Sequence, residues 1–320
     1  MSIREPRRGR AHQPRKRTSH VTPGGVAAVI SLIAVATVAA MIVLDSVSPT
    51  HPAAPTSTAP PSPQPPATST SRTTTAAGTA SVPILVYHVI NTQPAGSSAS
   101  PALYVPADEF SSHMQALKSG GWHAVTLNQL AAYWTRGVPL GPGKPIVLTF
   151  DNGYASHYTN ALPILRRLGW VGVENLQLTG LPPSNGGLTD NQIRGLISAG
   201  WELDTQGLSH TDLTSVDSAQ LANETATARQ MLHSRYGIPV NWFTYPFGDY
   251  NPTVIAAVRA AGYIGATTVN PGWASPQQDR FRLPRLVVMS GTSPSQLLAQ
   301  IASAQSSPSV PPTYAGVGLA

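Results

Sequence analysis

The chain has no cysteine among its 320 residues, which excludes a disulfide framework, thiol catalysis and cysteine-ligated zinc or iron–sulfur centres. Any metal must be held by histidine, carboxylate or amide groups. Charge is also scarce, at 11% of residues against roughly 25% in an average soluble protein. The net charge of +6 is local. Arg4, Arg7, Arg8, Arg10, Arg15, Lys16 and Arg17 fall within residues 1–20 beside a single acid, Glu5, and the remainder is neutral, with thirteen basic and thirteen acidic groups. A neutral body gives no electrostatic ground for binding nucleic acid, so a neutral partner is expected. No Gly-x-Gly-x-x-Gly follows a strand-like run and no phosphate-loop lysine motif occurs, so a nucleotide site has no support. Ser209, in Gly-Leu-Ser-His-Thr, lacks the second glycine of a nucleophile elbow, which disfavours a serine esterase.

What is present divides the chain into segments. Val26 to Leu44 is an uncharged run of 19 residues, which as a helix rises about 28 Å and spans a hydrocarbon layer. With the basic tail (1–20) before it, the span (21–45) is expected to leave the N-terminus in the cytoplasm and the main domain outside, as a single-pass anchor in the cell envelope. A cleaved signal peptide is the alternative. Residues 46–80 hold 8 prolines and 15 serines or threonines with one charge, Arg72, a composition that cannot bury a core and reads as a disordered spacer. From 81 to about 305 the pattern is globular and contains all six tryptophans, and 306–320 is a tail.

Strand-like runs at 82–88, 123–127, 145–150, 171–178, 201–205, 240–245, 263–268 and 283–289 are separated by helical spacings. Phe110, Met114 and Leu117 stop at Gly120-Gly121; Ile193, Leu196 and Ile197 stop at Gly200; Ile255, Val258 and Arg259 stop at Gly262. This alternation predicts an α/β domain of about eight strands, a closed or nearly closed (β/α) barrel, with an open doubly wound sheet as runner-up. A barrel of this kind places its site at the C-terminal strand ends. Those ends read Tyr87-His88, then Thr149-Phe150-Asp151-Asn152-Gly153, then Asp204 to Asp212 with Gln206 and His210, then Tyr245-Pro246-Phe247-Gly248. Carboxylate, histidine and a glycine-bearing turn at one mouth are what metal-assisted hydrolysis requires.

In order and spacing, VPILVYH, KPIVLTFDNGY, ALPILRRLGW, LTDNQIRGLISAGWELDTQGLSHTDLT, NWFTYPFGDYN and RLPRLVV resemble the polysaccharide deacetylase (NodB homology) domain of carbohydrate esterases. The resemblance implies a distorted (β/α) barrel, which makes the count about seven to eight strands, and removal of N-acetyl groups from an envelope glycan, peptidoglycan or similar, with a divalent metal, often zinc. It implies that Asp151 is the general base, that Asn152, Gln206 and His210 stand at the metal-ligand positions, and that Phe247 N–H, in the Pro246-Phe247-Gly248 turn, meets the oxyanion. At Asn152 and Gln206 the family has Asp and His, so two ligand positions carry neutral amides, poor partners for zinc. Substitute ligands are sought in His88, Asp204 and His157. The general acid has no counterpart, and Thr244 stands where the family often has Arg. Trp242, Tyr245 and Phe247 are the expected sugar-stacking residues. Two functions stay open: a membrane-anchored, metal-dependent N-deacetylase, or a glycan-binding pseudoenzyme of the same fold that needs no metal.

Overall fold

The computed structural model describes residues 76–95 and 100–306. The membrane span expected over 26–44, the spacer up to residue 75 and the tail from 307 lie outside these residues. Among the described residues no helix is long and apolar enough to cross a membrane. The folded unit begins before residue 81. Gly78 donates its N–H to the Tyr133 carbonyl at 2.9 Å, and the Trp134 indole donates to the Ala80 carbonyl at 2.9 Å, so the end of the expected spacer is fastened to a helix.

Every expected strand-like run holds a strand. These are β1 (Val82–Tyr87), β2 (Trp122–Val125), β3 (Lys144–Asn152), β4 (Val173–Leu176), β5 (Glu202–Thr205), β6 (Trp242–Thr244), β7 (Gly265–Thr267) and, after a short β8 (Trp273–Ala274), β9 (Leu286–Val287). β8 has no counterpart among the expected runs, because two residues are too few to show an alternating pattern. The sheet order is β7-β6-β5-β4-β3-β1-β8, with β2 paired to β3 and β9 to β1. Pairing is parallel except between β1 and β8. β2 runs along Lys144–Val147 of β3 and β4 along Thr149–Asn152. A parallel bridge from Thr267 to Leu283 draws the β7 edge toward the segment entering β9, so the sheet curls into a distorted half-barrel.

Helices α1 (Ala107–Ser119), α2 (Leu127–Arg136), α3 (Leu162–Arg167), α4 (Asp190–Ser198), α5 (Ser218–Ala222), α6 (Ala228–Tyr236), α7 (Pro252–Ala260) and α8 (Pro294–Gln305) connect or follow the strands. Thr126 with Gln129, Thr189 with Gln192 and Ser293 with Gln296 form capping boxes that start α2, α4 and α8. Gly121 (φ 79°) and Gly200 (φ 85°) supply the left-handed residue just past α1 and α4, as their positions predict. Two π-turns interrupt the helical register: His157–Ala161 leads into α3, and Asn223–Thr227 joins α5 to α6.

Side chains alternate across each strand with a period of two. Leu85, Tyr87, Ile146, Leu148, Phe150, Leu176 and Leu203 face the helices in the outer core. Val82, Ile84, Val147, Val173, Trp242 and Leu283 fill the interior of the half-barrel. The same parity carries the next interior residue of each strand to the mouth: His88 after β1, Asp151 in β3, Gln177 after β4 and Gln206 after β5. Residues one step lower, Thr149, Asn175 and Asp204, are fully buried beneath it.

Candidate functional site

A cavity of about 380 Å³ opens at the C-terminal strand ends, lined by His88, Asp151, Asn152, Gln177, Gln206, His210 and Phe247 among others. A larger groove of about 580 Å³, at the opposite end between Trp122, Trp273 and α8, is mostly apolar, with Lys144 as its one ionisable lining residue. The chemistry-bearing residues therefore sit in the smaller cavity. Asn152 (φ 80°), His210 (φ 53°) and Phe247 (φ 58°) are the non-glycine residues with positive φ among the described residues, and all three line it. Such a conformation costs of order 1–3 kcal/mol at each position and marks functional sites. The His210 and Phe247 rings meet edge to face, with centroids 4.4 Å apart.

Asp151 is held on both oxygens. Arg285 donates Nη1 to Oδ1 and Nη2 to Oδ2, each at 2.8 Å, and Asn175 donates its amide to Oδ1 at 2.7 Å. Arg285 is fully buried and also donates Nε to the Thr268 carbonyl at 2.7 Å. Burial by itself raises the pKa of Asp151, but the charge and hydrogen bonds of Arg285 outweigh it and hold the carboxyl below its usual value. Arg285 is the partner that reading for ligands and bases alone overlooks, although it was visible: Leu283 and Arg285 share parity in the 283–289 run, so an arginine there points inward.

The expected ligand positions converge but do not form a metal-binding set. Gln206 Oε1 accepts the Asn152 backbone N–H at 3.1 Å, which ties the Gln206 side chain to the end of β3. Of the proposed substitutes, only His88 lines the cavity. Burial lowers its pKa to about 4, against the attraction of Asp151, so the ring is neutral at pH 7, and its Nδ1 is buried without a hydrogen-bond partner. His210 is likewise lowered by burial. Asp204 is corrected to a barrel-interior residue: it lies one pleat below Gln206, about 7 Å along the strand, and its Oδ1 accepts Asn241 N–H at 3.0 Å and Trp242 N–H at 2.9 Å. Burial and then neighbouring Glu202 push its pKa well up. His157 is corrected too, since both ring nitrogens are engaged. Nδ1 donates to the Glu174 carboxylate at 2.9 Å and Nε2 donates to the His88 carbonyl; with acceptors on both sides its pKa is raised despite burial. Among the described residues no three His, Asp or Glu side chains converge as a metal-holding group. With Asp151 engaged on both oxygens by Arg285 and Asn175, and amides at two ligand positions, the donor chemistry does not fit a divalent transition metal.

The aromatic assignments divide. Phe247 is half-buried and lines the cavity. Tyr245 also lines it, but its hydroxyl donates to the Phe281 carbonyl at 2.9 Å. Trp242 is corrected: it is fully buried in the interior core, far below the mouth, and its indole donates to Asn128 Oδ1 at 3.3 Å. Pro246 is buried behind the turn, and Gly248 (φ 80°) lines the cavity.

The lowered pKa of His88 has a measurable consequence. Between the unfolded value of 6.5 and the folded value of about 4, the unfolded chain binds the extra proton, so stability falls as pH falls through that window, by roughly 3 kcal/mol for this group alone. Denaturant titrations from pH 7 to 4 should show His88→Gln with a shallower acid-side loss than wild type; identical slopes would count against a buried neutral His88.

The fold and this cavity define a (β/α) half-barrel protein with a polar site at its strand ends. Residues 140–266 match the family model described as Polysaccharide deacetylase, and the domain is a member of that family. The chain is 28% identical over 224 residues to YxkH of Bacillus subtilis (strain 168), covering 70% of this chain and 77% of that protein. It is 24% identical to the poly-beta-1,6-N-acetyl-D-glucosamine N-deacetylase of Staphylococcus epidermidis, covering 58% and 68%. Among solved structures, the Streptococcus pyogenes deacetylase PplD in complex with acetate aligns with a TM-score of 0.64 at 26% identity, over 70% of this chain and 99% of that one. The Bacillus cereus polysaccharide deacetylase BC0361 aligns with a TM-score of 0.62 at 22% identity, over 69% of each chain, a likeness of fold.

Proposed function

We propose that the domain engages an N-acetylated polysaccharide of the cell envelope and holds an N-acetyl group in the cavity by amide hydrogen bonding, without a metal. One observation carries this reading: Asn152 and Gln206, at the family's ligand positions, carry neutral side-chain amides, with Gln206 Oε1 tied to the Asn152 backbone N–H. An acetamide offers one carbonyl acceptor and one N–H donor. Gln206 spends Oε1 on the Asn152 backbone and keeps its Nε2 hydrogens as donors, while the Asn152 side chain carries both a donor and an acceptor. The Phe247 ring provides an apolar wall for the acetyl methyl. Neutral His88 and His210 and the Asp151–Arg285 pair leave the cavity without excess charge, which suits an uncharged acetamide better than a free ammonium. Support for the ligand class also comes from a relative that is a poly-beta-1,6-N-acetyl-D-glucosamine N-deacetylase and a structural neighbour that is a deacetylase. Anchoring through residues 26–44 would present the domain outside the membrane, a setting proposed from the sequence alone.

Hydrolysis is the second reading, favoured by the retained Asp151 and the Pro246-Phe247-Gly248 turn. Calorimetric titration with N-acetylglucosamine oligomers and their de-N-acetylated counterparts, with and without chelator and alongside acetate assays, separates the two. Binding that prefers the N-acetylated oligomer, is indifferent to chelator and releases no acetate is expected. Chelator-sensitive acetate release would overturn the proposal in favour of hydrolysis.

A further inference from the structure

The loop from Gln206 to His210 carries three polar residues of the cavity, Gln206, Ser209 and His210, and its backbone is gripped from behind by one side chain. Glu224 Oε2 accepts the Leu208 N–H at 2.7 Å and the Ser209 N–H at 3.1 Å, while Oε1 accepts the Ser209 hydroxyl. Two successive backbone N–H groups converging on one oxygen resemble the concave nests that hold bound anions; here the anion is part of the chain. Glu224 is 3% exposed, so its carboxylate has little water to compete with the loop.

Local structure explains how a helix residue comes to face this loop. Glu224 lies in the π-turn Asn223–Thr227, where the wider i→i+5 spacing shifts side chains relative to a regular helix, a device frequent at functional sites. Gly207 clears the approach: at φ 90° it has no side chain, and a Cβ there would stand 2.7 Å from Glu224 Oε2. The strained His210 follows directly after the two gripped amides. A loop holding a residue at φ 53° needs outside contacts to keep it there, and Glu224 supplies three.

We propose that Glu224 is a positioning residue of the cavity: its carboxylate fixes the backbone of the Gln206–His210 loop and thereby sets the affinity for an N-acetylated sugar. The inference rests on the proposed function for its ligand, but not for its loop geometry. Asp, one methylene shorter, cannot reach both amides and the hydroxyl together. Gln can, with its oxygen accepting the two N–H groups and its amide donating to Ser209 Oγ.

The test compares wild type, Glu224→Asp, Glu224→Ala and Glu224→Gln for affinity toward the N-acetylglucosamine trimer and for amide hydrogen exchange at Leu208 and Ser209. Glu224→Asp should lose affinity by about tenfold or more, the scale set by charge-assisted hydrogen bonds, and both amides should exchange faster. Glu224→Gln should stay within about threefold of wild type in affinity. A folded Glu224→Asp or Glu224→Ala protein with wild-type affinity and exchange overturns the proposal. If Glu224→Ala fails to fold, the Asp and Gln variants decide. If wild type binds no N-acetylated sugar, the reading of the cavity fails, and exchange at Leu208 and Ser209 together with the His210 ring shift in ligand-free protein still decide the positioning role.

Discussion

Replacing Arg285 by methionine will cost about 3–5 kcal/mol of folding stability at pH 7, the range for removing one partner of a buried ion pair. Arg285 is fully buried, Asp151 is 1% exposed, and two 2.8 Å bonds join them. Without the guanidinium, Asp151 is left as a desolvated carboxylate with Asn175 as its remaining donor. The pH dependence should then reverse. In wild type the carboxyl is held below its ordinary value of 3.8, so its contribution is present above that pH and lost as pH falls. In Arg285→Met, burial is opposed chiefly by the Asn175 hydrogen bond and raises the folded pKa, so stability is lost as pH rises through it, and the deficit against wild type should shrink from pH 7 to pH 4. Urea denaturation at both pH values measures this. A deficit below about 1 kcal/mol, the scale of an exposed pair, or one independent of pH, would refute the assignment. The double variant Asp151→Asn/Arg285→Met should recover part of the loss, because it leaves no unpaired buried charge.

The same pair shows how far the sequence could be read and where it stopped. The apolar runs of β1, β3 and β5 and the polar residues that end or follow them are enough to place His88, Asp151 and Gln206 at one mouth, and the glycines after α1 and α4 mark helix ends. The failures share a cause. Asp204 and Trp242 have the correct inward parity but the wrong height, and one pleat decides whether a side chain lines the cavity or is buried in the barrel. Height depends on the stagger between strands, which no single run reveals. His157 fails differently: its partners, Glu174 and the His88 carbonyl, lie 17 and 69 residues away, and a π-turn sets its direction. Glu224 is hidden differently: the spacing of Leu221, Glu224, Thr225 and Ala228 puts it on the buried face of its helix, but nothing in the sequence pairs it with the Leu208 and Ser209 amides 16 and 15 residues away. The short β8 and the fastening of residues 78–80 onto α2 also arise from tertiary contacts alone.

Restoring the family's ligand types is the most decisive change to the cavity itself. Asn152→Asp combined with Gln206→His puts a carboxylate and an imidazole beside His210 at positions the fold already brings together. A set of one carboxylate and two histidines is a zinc-binding set, whereas amides are weak zinc donors. Loss of an outer-shell partner alone changes metal affinity 10- to 100-fold, so gaining two direct ligands should raise zinc affinity by on the order of 100-fold or more, to about one equivalent per chain. Competition with a chromophoric chelator reads this directly, and the single variants should each fall well short of the pair. The oxygens of Asp151 stay committed to Arg285, so the new site must form from Asp, His and His210 alone. The gain in metal should be matched by a loss in the proposed ligand: with both side-chain amides gone, affinity for N-acetylglucosamine oligomers in chelator should fall by about tenfold, the worth of roughly one hydrogen-bonded contact. Zinc affinity unchanged in the double variant would mean that the loop holding His210 is set at the wrong distance for a ligand. Oligomer affinity unchanged would mean that the acetamide does not sit on Asn152 and Gln206.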